Sequence, residues 1–540
     1  MAETTIDPAQ ADTAQADTAD TAPARALEEP GPITADLGTI VTRAARRFGG
    51  KTALIAPGRT LTYRELDDLC DRVAGGLYDI GVRPGDRVSL YSPNRWEWVV
   101  AYHAALRAGA VVNPINVMLT AEEVAFVLND CGAAAVFTSG DKAEAIAGST
   151  SVRSVPTLRR VISFDGAGGG VTGFGELLGH PAVAPEVPRP APADLSTIGY
   201  TSGTTGHPKG AMQSHRAVFL NSAALFAVQT RTDRDVLLNA LPLPHVYGNL
   251  VMNGTFMAGA TLVMMERFDP AQALAAIQRH RATVFDGVPT MYAMMLADPA
   301  MPGTDLSSLR ICGVGGQTMP AAKMEEWERR SGAALLELWG MTELGGAGTA
   351  NPSYMPNVHG SIGFALPGAE ARIAALDDPG VTVPDGEPGE LMIRGPLVML
   401  GYDGNEAATR AAIESDGWMH TGDIATRDEE GHYFVVDRRK DLIITGGFNV
   451  YPAEIERVVA AHPAVAMVAV GSVPDETHGE LARAYVVLRP GAAATEAEII
   501  EHCRPHLAAY KRPRSVRFVP DLPKTSTGKV MRRELKTLDD

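Results

Sequence analysis

With 540 residues, 45% of them hydrophobic, and a net charge of −16, the chain has material for several domain-sized units with ample core and is too acidic for a nucleic-acid binder. Its four cysteines (Cys70, Cys131, Cys312, Cys503) lack C-x-x-C spacing, which predicts reduced thiols, a cytoplasmic setting and no zinc site. No apolar run approaches the ~20 residues of a membrane span, and no basic-then-apolar signal opens the chain, so no integral membrane segment is expected.

The charge is unevenly spread. Residues 1–32 hold seven acids and one base, a net −6, and their Ala/Asp/Thr repeat cannot bury enough apolar surface to offset ordering, which predicts a disordered tail. From about residue 34 helical and strand periods alternate. Leu37 to Phe48 and Tyr63 to Ile80 read as amphipathic helices, Arg87–Tyr91 and Ala110–Asn113 as buried strands. The same alternation returns at Ala260–Met264, Ala282–Phe285 and Leu309–Val314. It predicts an α/β multidomain protein whose large N-terminal part holds helix-covered, largely parallel sheets, with ligand loops at the strands' carboxyl ends.

After Glu390–Arg394 the texture changes to short strands and turns, through Trp418–Asp423 and His432–Asp437, which predicts a β-rich subdomain. The run Asp437-Arg438-Arg439-Lys440-Asp441 reads as exposed charge between two apolar strands and is taken as a linker. Beyond it, a helix (Pro452–Ala461), strands (Val465–Val470, Ala484–Leu488) and a basic tail predict a small α+β unit. Residues 437–540 hold 16 bases and 14 acids, a net +2, gathered in Arg438-Arg439-Lys440 and Lys511-Arg512-Pro513-Arg514, where solvated charge is the plain role and a polyanionic small ligand the functional one. The boundaries expected are 1–32 tail, 33–436 N-terminal domain, 437–440 hinge and 441–540 lid.

Four motifs carry chemistry. Thr201-Ser202-Gly203-Thr204-Thr205-Gly206-His207-Pro208-Lys209-Gly210 has the glycines, hydroxyls and ammonium that suit a polyphosphate, without the G-K-[ST] ending of the common P-loop. Leu338-Trp339-Gly340-Met341-Thr342-Glu343 offers a ring for a base and a hydroxyl and carboxylate for Mg²⁺; by itself it reads equally as a helix cap beside a core tryptophan. Thr421-Gly422-Asp423 supplies a carboxylate for a ribose diol or a simple turn. Pro523-Lys524-Thr525-Ser526-Thr527-Gly528-Lys529 supplies a lysine on a basic tail. Gly346-Ala347-Gly348 begins like a dinucleotide fingerprint, but Asn351 stands where its last glycine belongs, which argues against an oxidoreductase.

In this order, and with Gly446-Gly447-Phe448-Asn449-Val450-Tyr451-Pro452-Ala453-Glu454-Ile455-Glu456 and Leu241-Pro242-Leu243-Pro244-His245-Val246-Tyr247-Gly248, the motifs resemble the adenylate-forming superfamily of acyl-CoA synthetases, adenylation domains and luciferases, most closely bacterial fatty-acid–CoA ligases. The resemblance runs from about residue 35 to the C-terminus. It implies a two-step ligase: a carboxylate attacks the α-phosphorus of MgATP to give acyl-AMP and pyrophosphate, then a mobile C-terminal lid admits the CoA thiol, which displaces AMP. It implies ATP, Mg²⁺ and CoA, a small-molecule acid, and a monomer or homodimer.

Residue by residue, the resemblance assigns Thr201, Ser202, Gly203, Thr204, Thr205 and Lys209 to the phosphate loop. Gly315, Gly316 and Gln317 lie against adenine, with Gly340 and Met341 beside them; Trp339 stands where the family has tyrosine, keeping the stacking ring and losing the phenol. Thr342 and Glu343 contact phosphate and Mg²⁺, Asp423 the ribose, and Arg438 the ribose and phosphate. Lys440 is the hinge. Lys529 enters for adenylation, and a point charge on a flexible stem suits that task. Gly446, Gly447 and Phe448 flank the CoA channel. His245 gates the acyl pocket, which Tyr247, Val288, Met291 and Met341 line. A hydrophobic monocarboxylate, medium-to-long aliphatic before aryl, is the expected acid, since the recognised pocket segments hold no cation for a second carboxylate. Two variants of the chemistry fit the same motifs: loading of a carrier-protein phosphopantetheine, and adenylation of an oxyanion such as nitrite for transfer to an amine.

Overall fold

A computed structural model of the chain describes residues 35–540, apart from 169, 202–207, 447, 476, 525–529 and 540. The expected tail, residues 1–32, lies outside the described residues.

Local sequence sets the helices. Tyr63–Asp79 starts at a reciprocal cap, Thr62 accepting from the Glu65 N–H while the Glu65 carboxylate accepts from the Thr62 N–H. Ala121–Asp130 uses Thr120 and Glu123 in the same way. Apolar runs set the strands: Arg87–Tyr91 and Val111–Pro114 are buried almost throughout, as strands of a parallel sheet covered on both faces must be.

Among the described residues the strands form four sheets. In the nine-stranded sheet, six parallel strands run in the spatial order Thr52–Ala56, Thr261–Met264, Val236–Asn239, Val284–Gly287, Ile311–Val314 and Ala334–Met341. Antiparallel strands complete its edges. The eight-stranded sheet is parallel from Leu195–Thr201 through Val111–Pro114, Arg87–Tyr91 and Ala133–Thr138 to its far edge. Lys209–Ser214 folds back on Leu195–Thr201 as an antiparallel neighbour. Glu370–Ala374, Gly389–Arg394, Met419–Arg427 and Tyr433–Arg438 make a four-stranded antiparallel sheet, and the last sheet is built from residues 443–518. The architecture is the expected one: helix-covered, largely parallel sheets, then a β-rich part, then a smaller α+β part.

Trp98, Tyr102, Phe256 and Phe285 anchor the main core without exposure. Most of the methionine-rich positions are core: Met252 and Met295 are fully buried and Met264 is 3% exposed, whereas Met294 is 50% exposed. All four cysteines are buried, and burial pushes the thiols of Cys70, Cys131 and Cys312 up to about 12, so they behave as small core residues. No described helix is long and apolar enough to cross a membrane.

One expectation fails. The run 437–441 is not simply exposed charge: Asp437 is buried, Arg438 pairs with Asp423 and Arg439 with Glu390. Asp437 and Arg438 still belong to a strand of the antiparallel sheet, and only Arg439–Asp441 form the connecting turn. Similarly, Lys511 in the second basic cluster bonds both oxygens of Glu454 rather than water alone.

Candidate active site

The carboxyl ends of the parallel strands, the antiparallel sheet and the C-terminal part enclose a cleft of about 2290 Å³. Thr201 and Lys209 face each other across the hairpin of the eight-stranded sheet, and both line the cleft. Ser202, Gly203, Thr204 and Thr205 lie outside the described residues. The Lys209 ammonium stands 5.2 Å from the centre of the Tyr402 ring. Tyr402 in turn donates its hydroxyl to Glu343 Oε1 at 2.9 Å.

Thr342 and Glu343 begin a tight turn, Thr342–Leu344, directly after the strand Ala334–Met341. Side chains distant in sequence hold this turn. Gln213 donates to the Thr342 carbonyl at 2.7 Å, and Asn221 donates to the Leu344 and Ala347 carbonyls at 2.9 and 2.7 Å. Two glycines make the packing possible. A Cβ on Gly199 would come within 2.7 Å of Thr342 Cγ2, and one on Gly340 within 1.9 Å of the Gly346 carbonyl oxygen. Glu343 is 9% exposed; burial pushes its carboxyl above the usual range, and hydrogen bonds and the Arg438 charge offset this only in part. A buried carboxylate with one hydroxyl partner fits a divalent cation that takes its other ligands from phosphates and water, as Mg²⁺ does. Among the described residues no group of three or more histidine, cysteine or acidic side chains could hold a metal alone.

Asp423 is the fifth residue of Met419–Arg427, next to the cleft-lining Gly422 and opposite Arg438 on the neighbouring strand. Its carboxylate, on a residue 2% exposed, accepts from Arg438 Nε at 2.6 Å and from the Trp339 indole N–H at 2.8 Å. Trp339 thus makes a hydrogen bond of its own. Its ring packs with Leu344 and Ile362 rather than along the cleft, whose lining includes Leu338, Gly340 and Met341 but not Trp339. The tryptophan orients the aspartate. Beside it, His420 bonds Glu390 at 3.0 Å and Glu414 at 2.8 Å, and Glu390 also accepts from the Gly422 N–H and from Arg439.

Gly316 and Gln317 line the cleft after the strand Ile311–Val314, Gly316 at φ +85°; Gly315 packs behind them, where a Cβ would meet Leu338 Cδ1 at 2.8 Å. His245 caps the helix Val246–Ala258, its Nδ1 accepting from the Tyr247 N–H at 3.2 Å, and lines the cleft with Tyr247, Val288, Met291 and Met341. The Tyr247 hydroxyl donates to Asp286 Oδ1 at 3.1 Å, and Asp286 is held by both terminal nitrogens of Arg231 at 2.6 and 2.7 Å, with no side-chain exposure in either partner.

Arg438, at the end of the antiparallel sheet, and Lys440, in the connecting turn, line the cleft, as do Lys524 and Val530 of the C-terminal part, which pair in an antiparallel bridge. Lys529 itself lies outside the described residues. Gly446, at φ +56°, and Phe448, 57% exposed with its ring 4.7 Å from that of Tyr510, are not among the residues lining the cleft; Gly447 lies outside the described residues. Sequence reasoning did not single out Gln213, Asn221, Tyr402, Glu390 or His420. The signal open to it was Asn221-Ser222, a polar pair inside the otherwise apolar run Ala217–Phe226.

A lysine at the start of the strand Lys209–Ser214, a buried carboxylate in the turn after Ala334–Met341 and an apolar wall meet in one cleft, which suits an enzyme that joins an organic acid to a nucleotide. The AMP-binding enzyme model matches residues 41–403 and the AMP-binding enzyme C-terminal domain model residues 454–529, and the chain belongs to this family. It is 41% identical to the 3-[(3aS,4S,7aS)-7a-methyl-1,5-dioxo-octahydro-1H-inden-4-yl]propanoyl:CoA ligase of Mycobacterium tuberculosis, over 93% of this chain and 99% of that protein. It is 33% identical to the long-chain-fatty-acid–CoA ligase of Bacillus subtilis, over 92% of this chain and 94% of that protein. ATP-bound MatB from Rhodopseudomonas palustris superposes with a TM-score of 0.87 at 34% identity, over 94% of this chain and 99% of that one. The chain is accordingly an ATP-dependent acid–thiol ligase, an acyl-CoA synthetase whose co-substrates are ATP and CoA and whose metal is Mg²⁺.

Proposed function

We propose that the acid is a hydrophobic monocarboxylate whose carboxyl is carried on saturated carbon, a medium- or long-chain fatty acid foremost and a ring-bearing propanoate next. One observation carries the reading: the cleft wall beside His245 is Leu241, Tyr247, Val288, Met291 and Met294, and the cation behind it, Arg231, is spent on Asp286. None of these five side chains is a cation, so a second carboxylate seated against them would be unpaired and costly to bury. The similarity to ligases of a long-chain fatty acid and of an octahydroindenyl propanoate supports the same class.

In the mechanism, Thr201, Ser202, Thr204, Thr205 and Lys209 hold the ATP phosphates, Gly315–Gln317 flank the adenine, and Asp423, oriented by Trp339 and Arg438, takes the ribose hydroxyls. Glu343 would hold Mg²⁺, which when bound would neutralise charge on the departing pyrophosphate. Lys529 balances the charge that builds between the carboxylate and the α-phosphate; the resulting mixed anhydride needs no enzyme nucleophile, so catalysis is positioning plus electrostatic stabilisation. Residues 33–436 act as the body, 437–440 as the hinge at Lys440, and 441–540 as a lid whose Gly446-Gly447-Phe448 segment lines the thiol's path. The acceptor is free CoA rather than a carrier protein, and the enzyme works in the cytoplasm as a monomer or homodimer.

Acids from acetate to palmitate, with cyclohexyl and indanyl propanoates, benzoates and cinnamates, should be scored by acyl-CoA formation. Preference for apolar acids with saturated α and β carbons is expected; a preference for dicarboxylates or benzoates refutes the reading. Lys529→Ala should abolish adenylation while sparing thioester formation from supplied acyl-adenylate.

A further inference from the structure

Arg532 stands three residues beyond Lys529 and is tied to three elements at once. Its Nη1 donates to Asp437 Oδ1 at 3.3 Å and to Asp441 Oδ2 at 3.1 Å. Its Nε and Nη2 hold Glu456 bidentately, at 3.1 and 2.7 Å. Asp437 is the penultimate residue of a strand of the antiparallel sheet, Asp441 ends the connecting turn Arg439–Asp441, and Glu456 lies on the helix Pro452–Ala460. One planar guanidinium therefore spans both sides of the turn, a task its fixed fork suits better than an ammonium would.

The partners are placed for that role. The Asp437 side chain is 1% exposed, and its second oxygen accepts the Ala453 N–H at 2.7 Å, so the carboxylate that meets Arg532 also caps the helix beginning at Pro452. Glu456 Oε1 accepts from the Val470 N–H at 2.8 Å, which ties the helix to the strand Val465–Asp475. Burial pushes the Asp437 carboxyl above its usual range against the pull of Arg532, so this carboxylate depends on its cation. The adjacent residue, Arg438, faces the other way and bonds Asp423. Lys524, Val530, Met531 and Arg532 itself line the cleft.

We propose that Arg532 is a positioning residue for the adenylation half-reaction: by joining Asp437, Asp441 and Glu456 it fixes the turn and holds the C-terminal run against the cleft. The inference rests on the reading above, in which Lys529 serves adenylation and Gly446–Phe448 serve the thiol. Gly446 and Phe448 are not among the residues lining the cleft in this arrangement, so bringing them to the acyl-adenylate must separate Arg532, after the turn, from Asp437, before it. Loosening the clamp should therefore cost the first step and not the second.

The test compares the full chain with Arg532→Gln, Arg532→Lys, Asp437→Asn and Lys529→Ala. Two rates are read: pyrophosphate release with ATP and acid but no CoA, and thioester formation from supplied acyl-adenylate and CoA. Arg532→Gln is expected to slow pyrophosphate release about tenfold or more while thioester formation stays within about twofold or rises, and Arg532→Lys should recover part of the loss. Equal loss in both steps, or none in either, overturns the proposal. If Arg532→Gln lowers the yield of folded protein, the near-isosteric Asp437→Asn decides: a smaller, about threefold loss confined to adenylation supports the clamp, and an even loss refutes it. Lys529→Ala separates the two claims. Intact adenylation in Lys529→Ala sinks the underlying reading; its loss there, with Arg532→Gln unaffected, sinks this inference alone.

Discussion

Trp339→Phe isolates the indole N–H that orients the nucleotide-side aspartate. Asp423 is 2% exposed and accepts from Trp339 Nε1 at 2.8 Å and Arg438 Nε at 2.6 Å. A hydrogen bond to a charged group contributes about 1.5–3 kcal/mol, and at about 1.4 kcal/mol per tenfold the ceiling is a factor of about 10 to 150. The Arg438 bond survives the change, and Asp423 has a second anchor in its own N–H, which donates to Thr421 at 3.1 Å, so the lower end is the expected one. We expect the KM for ATP to rise about tenfold, with kcat at saturating ATP falling less, because the carboxylate is misoriented rather than removed. The assay is pyrophosphate release against ATP at saturating acid. Phenylalanine also leaves space beside Leu344 and Ile362, which should cost about 1–2 kcal/mol and lower the Tm. A lowered Tm with the KM for ATP within about twofold of the parent would refute the orienting role and leave Trp339 as packing alone.

Arg231→Met should destabilise the protein by about 3–5 kcal/mol, because Asp286 would be left charged with no side-chain exposure; unfolding at the parent temperature would contradict this, and Arg231→Met with Asp286→Leu should recover much of the loss. Gly199→Ala drives a Cβ to 2.7 Å from Thr342 Cγ2, so about 1–3 kcal/mol of overpacking and a clear fall in pyrophosphate release are expected, and unchanged kinetics would show that Thr342 moves freely. His420 offers a pH test. Burial pulls its pKa down, but Glu414 and Glu390 more than offset this and the net shift is upward. A histidine raised on folding stabilises fully below its ordinary value and stops doing so as pH rises through the folded one. The Tm advantage of the parent over His420→Gln should thus be largest below about pH 6 and shrink toward pH 8, and an advantage that grows with pH would reverse the sign of the argument.

The parts legible in the sequence are those that local physics decides. Arg87–Tyr91 is read to the residue because a short run carrying Val88, Leu90 and Tyr91 between the turn signals Pro84-Gly85 and Ser92-Pro93 has few alternatives, and Tyr63–Asp79 is read one residue too long, to Ile80, because a helical period marks the buried face better than the end. The motif residues Lys209, Thr342, Glu343 and Arg438 do converge on one cleft, since loops at the carboxyl ends of parallel strands must meet there. Wherever a residue's partner lies far along the chain, the reading goes astray. Composition makes Asp437 a solvated linker charge, yet Arg532, 95 residues away, and the Ala453 N–H bury it. Trp339 reads as a stacking ring, yet its N–H finds Asp423, 84 residues on. Tyr402 reaches Glu343 only because its short strand pairs with the strand that begins at Lys209. Each miss has one cause: a buried polar group must be paired, and the identity of its partner is fixed by sheet register, which periodicity does not encode. These supporting pairs therefore test the functional reading more sharply than the motif residues do. Loss of Lys209 or Glu343 would disable most nucleotide-using enzymes, whereas a selective loss on breaking Trp339–Asp423 or Arg532–Asp437 is expected only if this cleft orients ATP and this turn positions the C-terminal run as argued.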